Sequence, residues 1–445
     1  MNKQSLISHN KSYLPLLKEF ISFKSVSTDR QYKDEILKTV SWLKDKFKEN
    51  GFKVEIIKGY GNPLVLANIV IDRNLPTALV YGHYDVQPAH KSDGWKSDPF
   101  KVYDDSERLY ARGVVDNKGQ VLIHIATVFE LIKKNKLKFN VKFIIEGDEE
   151  TGSPNIEEFF KENKLKLKSD FVVISDGELT GIHPCLDNSF RGIVNTTLTI
   201  KTSNKDNHSG LYGGSIPNAA KELTNIISNF HDKEGNLTIE GINNLKTFEK
   251  ELLENNRNIP YSKKEFLNIT GVSKRFNEEK HDFYTQTGFL TSAEVTTLSS
   301  GYLSEGYRNA VPGTATAKIN FRLAPDLTVK GFIKIFKKYL KKVVPEHVNY
   351  EVVFDQFSDG FFVDTENEIA KKAKSILNET HNTQVYDRPC GAIIPIVGLF
   401  IKYLNTPLVS IGLVNEDCNM HGANENLKKD VLKKGLAFSE NFFSK

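Results

Sequence analysis

The chain carries only three cysteines in 445 residues, Cys185, Cys390 and Cys418. An odd number at such wide spacing excludes a disulfide framework and fits a reducing compartment, each thiol being a small core residue. The opening Met-Asn-Lys-Gln-Ser-Leu-Ile-Ser-His-Asn has no apolar stretch of the signal-peptide kind, and no later run reaches the apolar length of a membrane span. A cytoplasmic protein is expected. Long blocks of one charge sign are missing as well. The 60 basic and 56 acidic side chains leave a net charge of +4 spread along the chain, with no electrostatic footprint for nucleic acid or a membrane surface. Internal repeats and low-complexity tracts are absent. What is there is an ordinary globular composition, 39% apolar and 26% charged, on a chain long enough for roughly two to three domains.

Periodicity sets out the elements. Leu14, Leu17 and Phe20-Ile21 recur at helical spacing, as do Ile36-Leu37, Val40, Leu43 and Phe47, a series stopped by Gly51. Apolar runs at Val65–Ile71, Thr77–Tyr81, Val141–Ile145 and Phe171–Ile174 read as strands, and Val121, Ile125, Val128 and Ile132 mark a helix between them. Alternating strands and helices imply an α/β domain with a mostly parallel sheet flanked by helices, whose ligands belong outside the carboxyl ends of the strands. From Ile193 the pattern changes. Val194, Thr196, Leu198 and Ile200 alternate, and so do Ala317, Ile319, Phe321 and Leu323, with Lys318, Asn320 and Arg322 on the opposite face. Helical segments near Ala219–Phe230 and Phe332–Leu340 and a strand near Tyr350–Phe354 complete a β-α-β-α-β order, while the stretch to about Thr287 reads as polar. This predicts an inserted α+β domain over residues 190–357 between two parts of a catalytic domain, 1–189 and 358–445.

Acidic and histidine clusters fall where apolar runs stop. The run ending in Glu146 continues as Gly-Asp-Glu-Glu-Thr-Gly-Ser153, the next closes on His83-Tyr-Asp85, and another on Ser175-Asp176-Gly177. Each alone reads as a charged surface loop, since unpaired acids usually sit in water. Together, two histidines and several carboxylates at strand ends are the ingredients of a site for two divalent metals, which a shared carboxylate can hold about 4 Å apart. Zinc accepts such ligands, and with no cysteine in the set manganese or cobalt can serve too. A further carboxylate outside the ligand set is needed to take a proton from water. Of Glu149 and Glu150 one could bind metal and the other face the water; spacing does not say which.

His83-x-Asp85, Asp116-Asn-Lys-Gly119, Glu146-Gly-Asp-Glu-Glu-Thr-Gly-Ser153, Ser175-Asp176-Gly177 and Met420-His421-Gly422 resemble, in order and separation, the motifs of the dinuclear zinc exopeptidase family. That family includes aminoacylase, glutamate carboxypeptidase, succinyl-diaminopimelate desuccinylase and the carnosinase-type dipeptidases, and the likeness runs from about residue 10 to the C-terminus. The resemblance implies one zinc on His83, Asp116 and Asp176 and a second on Asp116, Glu150 and His421, with Asp116 bridging. It makes Glu149 the general base and Asp85 the carboxylate that orients the His83 imidazole. The implied reaction is metal-assisted amide hydrolysis, with Glu149 passing a proton from water to the leaving amine. Tyr81-Gly-His-Tyr-Asp-Val-Gln-Pro88, Gly94-Trp95, Asp98-Pro99-Phe100 and His208-Ser-Gly-Leu-Tyr-Gly-Gly214 look like the dipeptidase branch. There, the histidine matching His208 reaches from one subunit's lid into the other's active site, which implies a homodimer joined through the inserted domain. Arg322 matches the lid arginine that binds the substrate carboxylate, a task for a planar bidentate donor.

Read without the family, Arg322 is a residue on a solvated strand face, His208 a turn residue, and His124 a packed core histidine. The sequence departs from the family pattern at Ala111-Arg-Gly, at Asn207, and at Pro389-Cys-Gly-Ala-Ile-Ile-Pro395, where Ile393 takes the place of a serine near the substrate. These differences leave the metal set intact and bear on substrate preference. The expected activity is hydrolysis of dipeptides or short peptides with a free C-terminal carboxylate. An N-acyl amino acid deacylase or desuccinylase using the same metals is the alternative. A binding protein that has lost catalysis is the contrasting class, against which the intact ligand set argues.

Overall fold

Two sheets account for the two sequence textures. The computed structural model describes residues 3–243, 245 and 248–445, with residues 3–11 described by their backbone alone. The larger sheet runs in the order Lys53–Ile57, Leu64–Ile69, Asn140–Glu146, Thr77–His83, Phe171–Glu178, Leu408–Val414, Cys185–Phe190, Phe361–Phe362, and Tyr386–Cys390 also pairs with Cys185–Phe190. Its four central strands, from Asn140–Glu146 to Leu408–Val414, are parallel, and antiparallel pairs occur towards both edges. Strands covered on both faces need near-continuous apolar sequence. Thr77–His83 is buried along all but its first residue, and Leu408–Val414 throughout.

One face of this sheet is covered by the helices Lys3–Ser22, Lys33–Glu49, Lys118–Lys133 and Lys429–Ser444, which share a core with Val80, Phe143 and Val173. The other is covered by Ile156–Leu167 and Pro395–Leu404, packed on Leu79, Ile144 and Ile174. Lys118–Lys133 lies between the first and last helices, so almost every side chain along it is buried. His124 is one of them. It is a core histidine, with Nε2 2.7 Å from Ser175 Oγ and Nδ1 3.0 Å from Ser439 Oγ, and burial lowers its pKa to about 3.

The second sheet is antiparallel, in the order Ser292–Ser300, Thr314–Leu323, Gly192–Lys201, Asn349–Ser358. Val194, Leu198, Ile200, Ala317, Ile319 and Phe321 turn inward against the helices Ala219–Ser228 and Val329–Val343 to form a core of their own. Two features differ from the sequence reading. Ser292–Ser300 is an added edge strand whose mostly exposed residues show no apolar alternation. The polar stretch before it holds three short helices, Lys250–Asn258, Lys263–Thr270 and Phe283–Gly288. A few aromatic contacts hold them, such as Tyr261 stacked on Phe283 at 4.9 Å and Phe248 on Phe289 at 4.6 Å, and single aromatics leave no periodic trace. Among the described residues no helix is long and apolar enough to cross a membrane.

Candidate metal centre

The parallel strands end level with one another. His83 stands opposite Glu146 in register, so the turn carrying Glu149 and Glu150 begins beside the imidazole. Asp176 lies inside its strand rather than beyond it. Ser175 pairs with Ile411 and Gly177 with Gly412, which leaves Asp176 as the unpaired residue of a bulge, a device that re-aims a side chain at a sheet end. Asp116 sits in the turn before helix Lys118–Lys133, and His421 in the loop after strand Leu408–Val414.

These residues converge. Ligand atoms of His83, Asp116 and Asp176 lie within 4.8 Å of one another, as do those of Asp116, Glu150 and His421, and Asp116 belongs to both groups. Its two oxygens face different ways: Oδ1 is 3.1 Å from His83 Nε2 and Oδ2 is 2.7 Å from His421 Nε2. Asp176 Oδ2 is 3.8 Å from His83 Nε2, and Glu150 Oε2 is 3.4 Å from His421 Nε2.

The electrostatics favour a cation. Asp85, Asp116, Glu149, Glu150 and Asp176 gather around the imidazoles of His83 and His421. Burial, reinforced by Asp176, Asp116 and Glu150, pushes Glu149 well above the ordinary carboxylate range despite the pull of His83. Burial and the neighbouring Asp116 lift Glu150 to about 7. Asp116 goes the other way: burial would raise it, but the imidazoles of His421 and His83 beside it outweigh that and lower it. Burial opposes the charging of His83, yet the carboxylates of Asp116, Asp176 and Asp85 hold its pKa well up. The raised carboxyls of Glu149 and Glu150, crowded by other acids, are what two divalent ions would relieve. His83 Nε2 and Glu150 Oε1 are moreover buried without a hydrogen-bond partner, an arrangement costly unless something else binds there. The donor set of imidazole and carboxylate therefore fits two divalent cations.

A supporting layer fixes the donors. His83 Nδ1 is 3.1 Å from the main-chain oxygen of Asp85 and 3.3 Å from its carboxylate, which turns Nε2 toward Asp116 and Asp176. The other oxygen of Asp85 accepts from Ser27 Oγ at 2.7 Å and from the Glu150 main-chain N–H at 3.1 Å. Asn117, which sequence reasoning passed over, donates to Asp176 Oδ1 and to the Ser175 carbonyl, both at 2.7 Å. The turn carrying Glu149 is pinned from two sides. Glu146 accepts from Tyr81 and Ser153, and Asp148 accepts from the main chain and side chain of Asn62. Glu425 is also new, fully buried and bonded to the Asp116 turn. A sequence does not reveal whether a glutamate is buried; its only trace here was its place in the motif beginning at Met420.

The remaining two candidates lie outside this cluster. His208 is exposed in a two-residue strand paired with Ala310–Val311, and its Nδ1 accepts from the Gly210 N–H at 3.0 Å. Arg322 is half-buried on strand Thr314–Leu323, opposite Ser292 and Ile193, and burial lowers its pKa.

Three comparisons bear on this geometry. The model of the peptidase family M20/M25/M40 matches residues 79–445. The Beta-Ala-His dipeptidase of Homo sapiens is 26% identical over an alignment covering 98% of this chain and 90% of that protein. The Cys-Gly metallodipeptidase of Candida albicans is 28% identical, with 93% and 90% covered. Among solved structures, an M20 family metallo-carboxypeptidase from Sulfolobus solfataricus matches with a TM-score of 0.86 at 29% identity, covering 97% of this chain and 98% of that one.

Proposed function

The chain belongs to the peptidase family M20/M25/M40, and from that premise we propose a dinuclear metal-dependent dipeptidase that hydrolyses the amide bond of dipeptides or short peptides with a free C-terminal carboxylate. The observation that carries this reading is the pair of ligand groups sharing Asp116, with the Glu149 carboxylate beside them. The names of the relatives, a Beta-Ala-His and a Cys-Gly dipeptidase, support dipeptides as the substrate class.

His83, Asp116 and Asp176 would hold one ion, and Asp116, Glu150 and His421 the other; the mixed nitrogen and oxygen donors favour zinc, with manganese or cobalt also able to bind. Two such ions supply Lewis acidity to the scissile carbonyl and make a water nucleophilic near neutral pH. Glu149 takes the proton of the attacking water and delivers it to the leaving amine. Asp85 keeps the His83 ring turned toward the site. Arg322, with its fork of donors, holds the substrate's terminal carboxylate. In this reading residues 190–357 form a lid and dimer surface over a catalytic unit of 1–189 and 358–445. Its own sheet and core support that division, and the exposed Leu211, Leu298, Leu303 and Tyr307 support a partner on that surface. His208 would act from the partner subunit on the developing oxyanion; its Nδ1 is occupied as an acceptor, so Nε2 carries the donating proton. The free state of Cys185, Cys390 and Cys418 supports a cytoplasmic setting.

The test is a panel of free dipeptides, their C-terminal amides, and N-acetyl and N-succinyl amino acids. Turnover of the free dipeptides is expected, with KM raised by amidation in the wild type but not in Arg322→Ala. Activity confined to acylated amino acids would overturn the reading in favour of a deacylase.

A further inference from the structure

The loop after Cys418 and the turn before Asn117 are joined by a buried pair of opposite charge, Arg112 and Glu425, both almost wholly shielded from solvent. Glu425 Oε2 accepts from Arg112 Nη1 at 2.8 Å and from the Gly113 N–H at 3.0 Å. Its Oε1 accepts from the N–H groups of Val115 at 2.9 Å and of Asp116 itself at 3.2 Å. The main-chain oxygen of Glu425 accepts from the Ala111 N–H at 3.1 Å, extending the strand pair of Asn426–Lys428 with Arg108–Tyr110. The same residue thus pairs with the start of the turn through its backbone and wraps the rest of it with its side chain. Arg112 completes the link. Its Nη2 lies 3.1 Å from the carbonyl of His421 and 3.4 Å from that of Pro88, and its guanidinium sits over the Trp95 ring at 5.4 Å.

We propose that Arg112 and Glu425 are a positioning pair that sets the second metal position, the one formed by Asp116, Glu150 and His421. The pair fixes the main chain of Asp116 from one end and that of His421 from the other, so two of the three donors of that position move as one piece. The first position is held by different means. There Asn117 binds Asp176, and Asp85 orients His83. Loosening the pair therefore disturbs two donors of the second position and only the shared Asp116 of the first. A carboxylate is required at 425 because all four incoming groups are donors. A glutamine could accept through one oxygen only and would point its own N–H groups at two of them.

The inference rests on the two-metal reading above. It is tested by equilibrium dialysis of full-length, zinc-loaded protein against graded zinc buffers with elemental analysis, and by the visible spectrum of the cobalt-loaded form. Wild type should hold two ions. Glu425→Gln should weaken one of them about 10- to 100-fold and leave the other within a few-fold, with a changed cobalt spectrum. Glu425→Asp, still an acceptor at both oxygens, should recover part of the loss. Should Glu425→Gln fail to fold, Arg112→Lys replaces it, since a lysine cannot reach Glu425, His421 and Pro88 together; the same one-ion weakening is expected. Two ions bound with wild-type affinity in these variants, or both weakened equally in a folded variant, would overturn the pair's role. A wild-type protein that binds fewer than two ions would instead remove the two-metal reading on which it stands.

Discussion

Glu149 and Glu150 are neighbours in sequence with different surroundings. Glu150 is oriented by its own N–H on Asp85, by Gln87 Nε2 at 2.7 Å from Oε2, and by His421 across from it. Glu149 shares the burial and the crowding by acids, and no hydrogen bond holds its carboxylate among the described residues. A held carboxylate suits a ligand and a free one suits a proton carrier. Glu149→Gln is accordingly expected to retain both ions by elemental analysis while kcat falls about 100- to 10,000-fold. Glu150→Gln should release one ion more readily. The opposite pattern would exchange their roles. Residue types and order were legible at this scale, because acids and histidines at the ends of apolar runs stand out in a chain. Apart from Asp85, the residues that hold them were not. Asn117, Arg112 and Glu425 look like any polar residues until burial gives them partners, and burial is a property of the packed chain.

Among the elements, the turn from Ala111 to Asn117 and the helix it feeds carry the tightest constraint. Gly119 N donates to the Gly113 carbonyl at 3.0 Å, and Tyr13 donates to the Gly119 carbonyl at 3.0 Å. A Cβ at Gly119 would stand 1.8 Å from the Val114 carbonyl oxygen, a backbone atom that cannot move without displacing Asp116. Gly119→Ala should lower unfolding stability by more than about 3 kcal/mol in urea melts and weaken metal binding with it. Gly152→Ala, where nothing lies within 4 Å but φ is +81, should cost only about 1–2 kcal/mol. Equal effects of the two would mean the Asp116 turn tolerates displacement. Long amphipathic helices such as Lys33–Glu49 and Val329–Val343, and inward alternation such as that of Gly192–Lys201, were legible because periodicity records which face is buried. The strand Ser292–Ser300 and the short helices before it were not, because each is too short or too exposed for a period to form.

At the scale of the whole molecule, the proposed dimer makes each site depend on two chains. Glu149→Gln and His208→Ala chains, each nearly inactive alone, should regain up to about one quarter of wild-type activity on mixing and subunit exchange. That is the share of sites expected when half the subunits carry an intact His83–Glu149 set and random pairing gives half of those a partner with His208. No recovery in a mixture shown by sedimentation to contain mixed dimers would place His208 outside the partner's site. The sequence by itself determined the two textures, the order of strands and helices, and the kinds of donor available, since these depend on local spacing and side-chain chemistry alone. Tertiary structure decided which of those donors meet. It brought Asp116 within reach of both His83 and His421, although His421 is 305 positions away, and put Asp176 on a bulge instead of beyond a strand end. It also buried an arginine and a glutamate together behind the Asp116 turn. Distances between remote residues and the loss of water around a charge arise only when the chain packs, and both are needed to turn a row of acids into a place for cations.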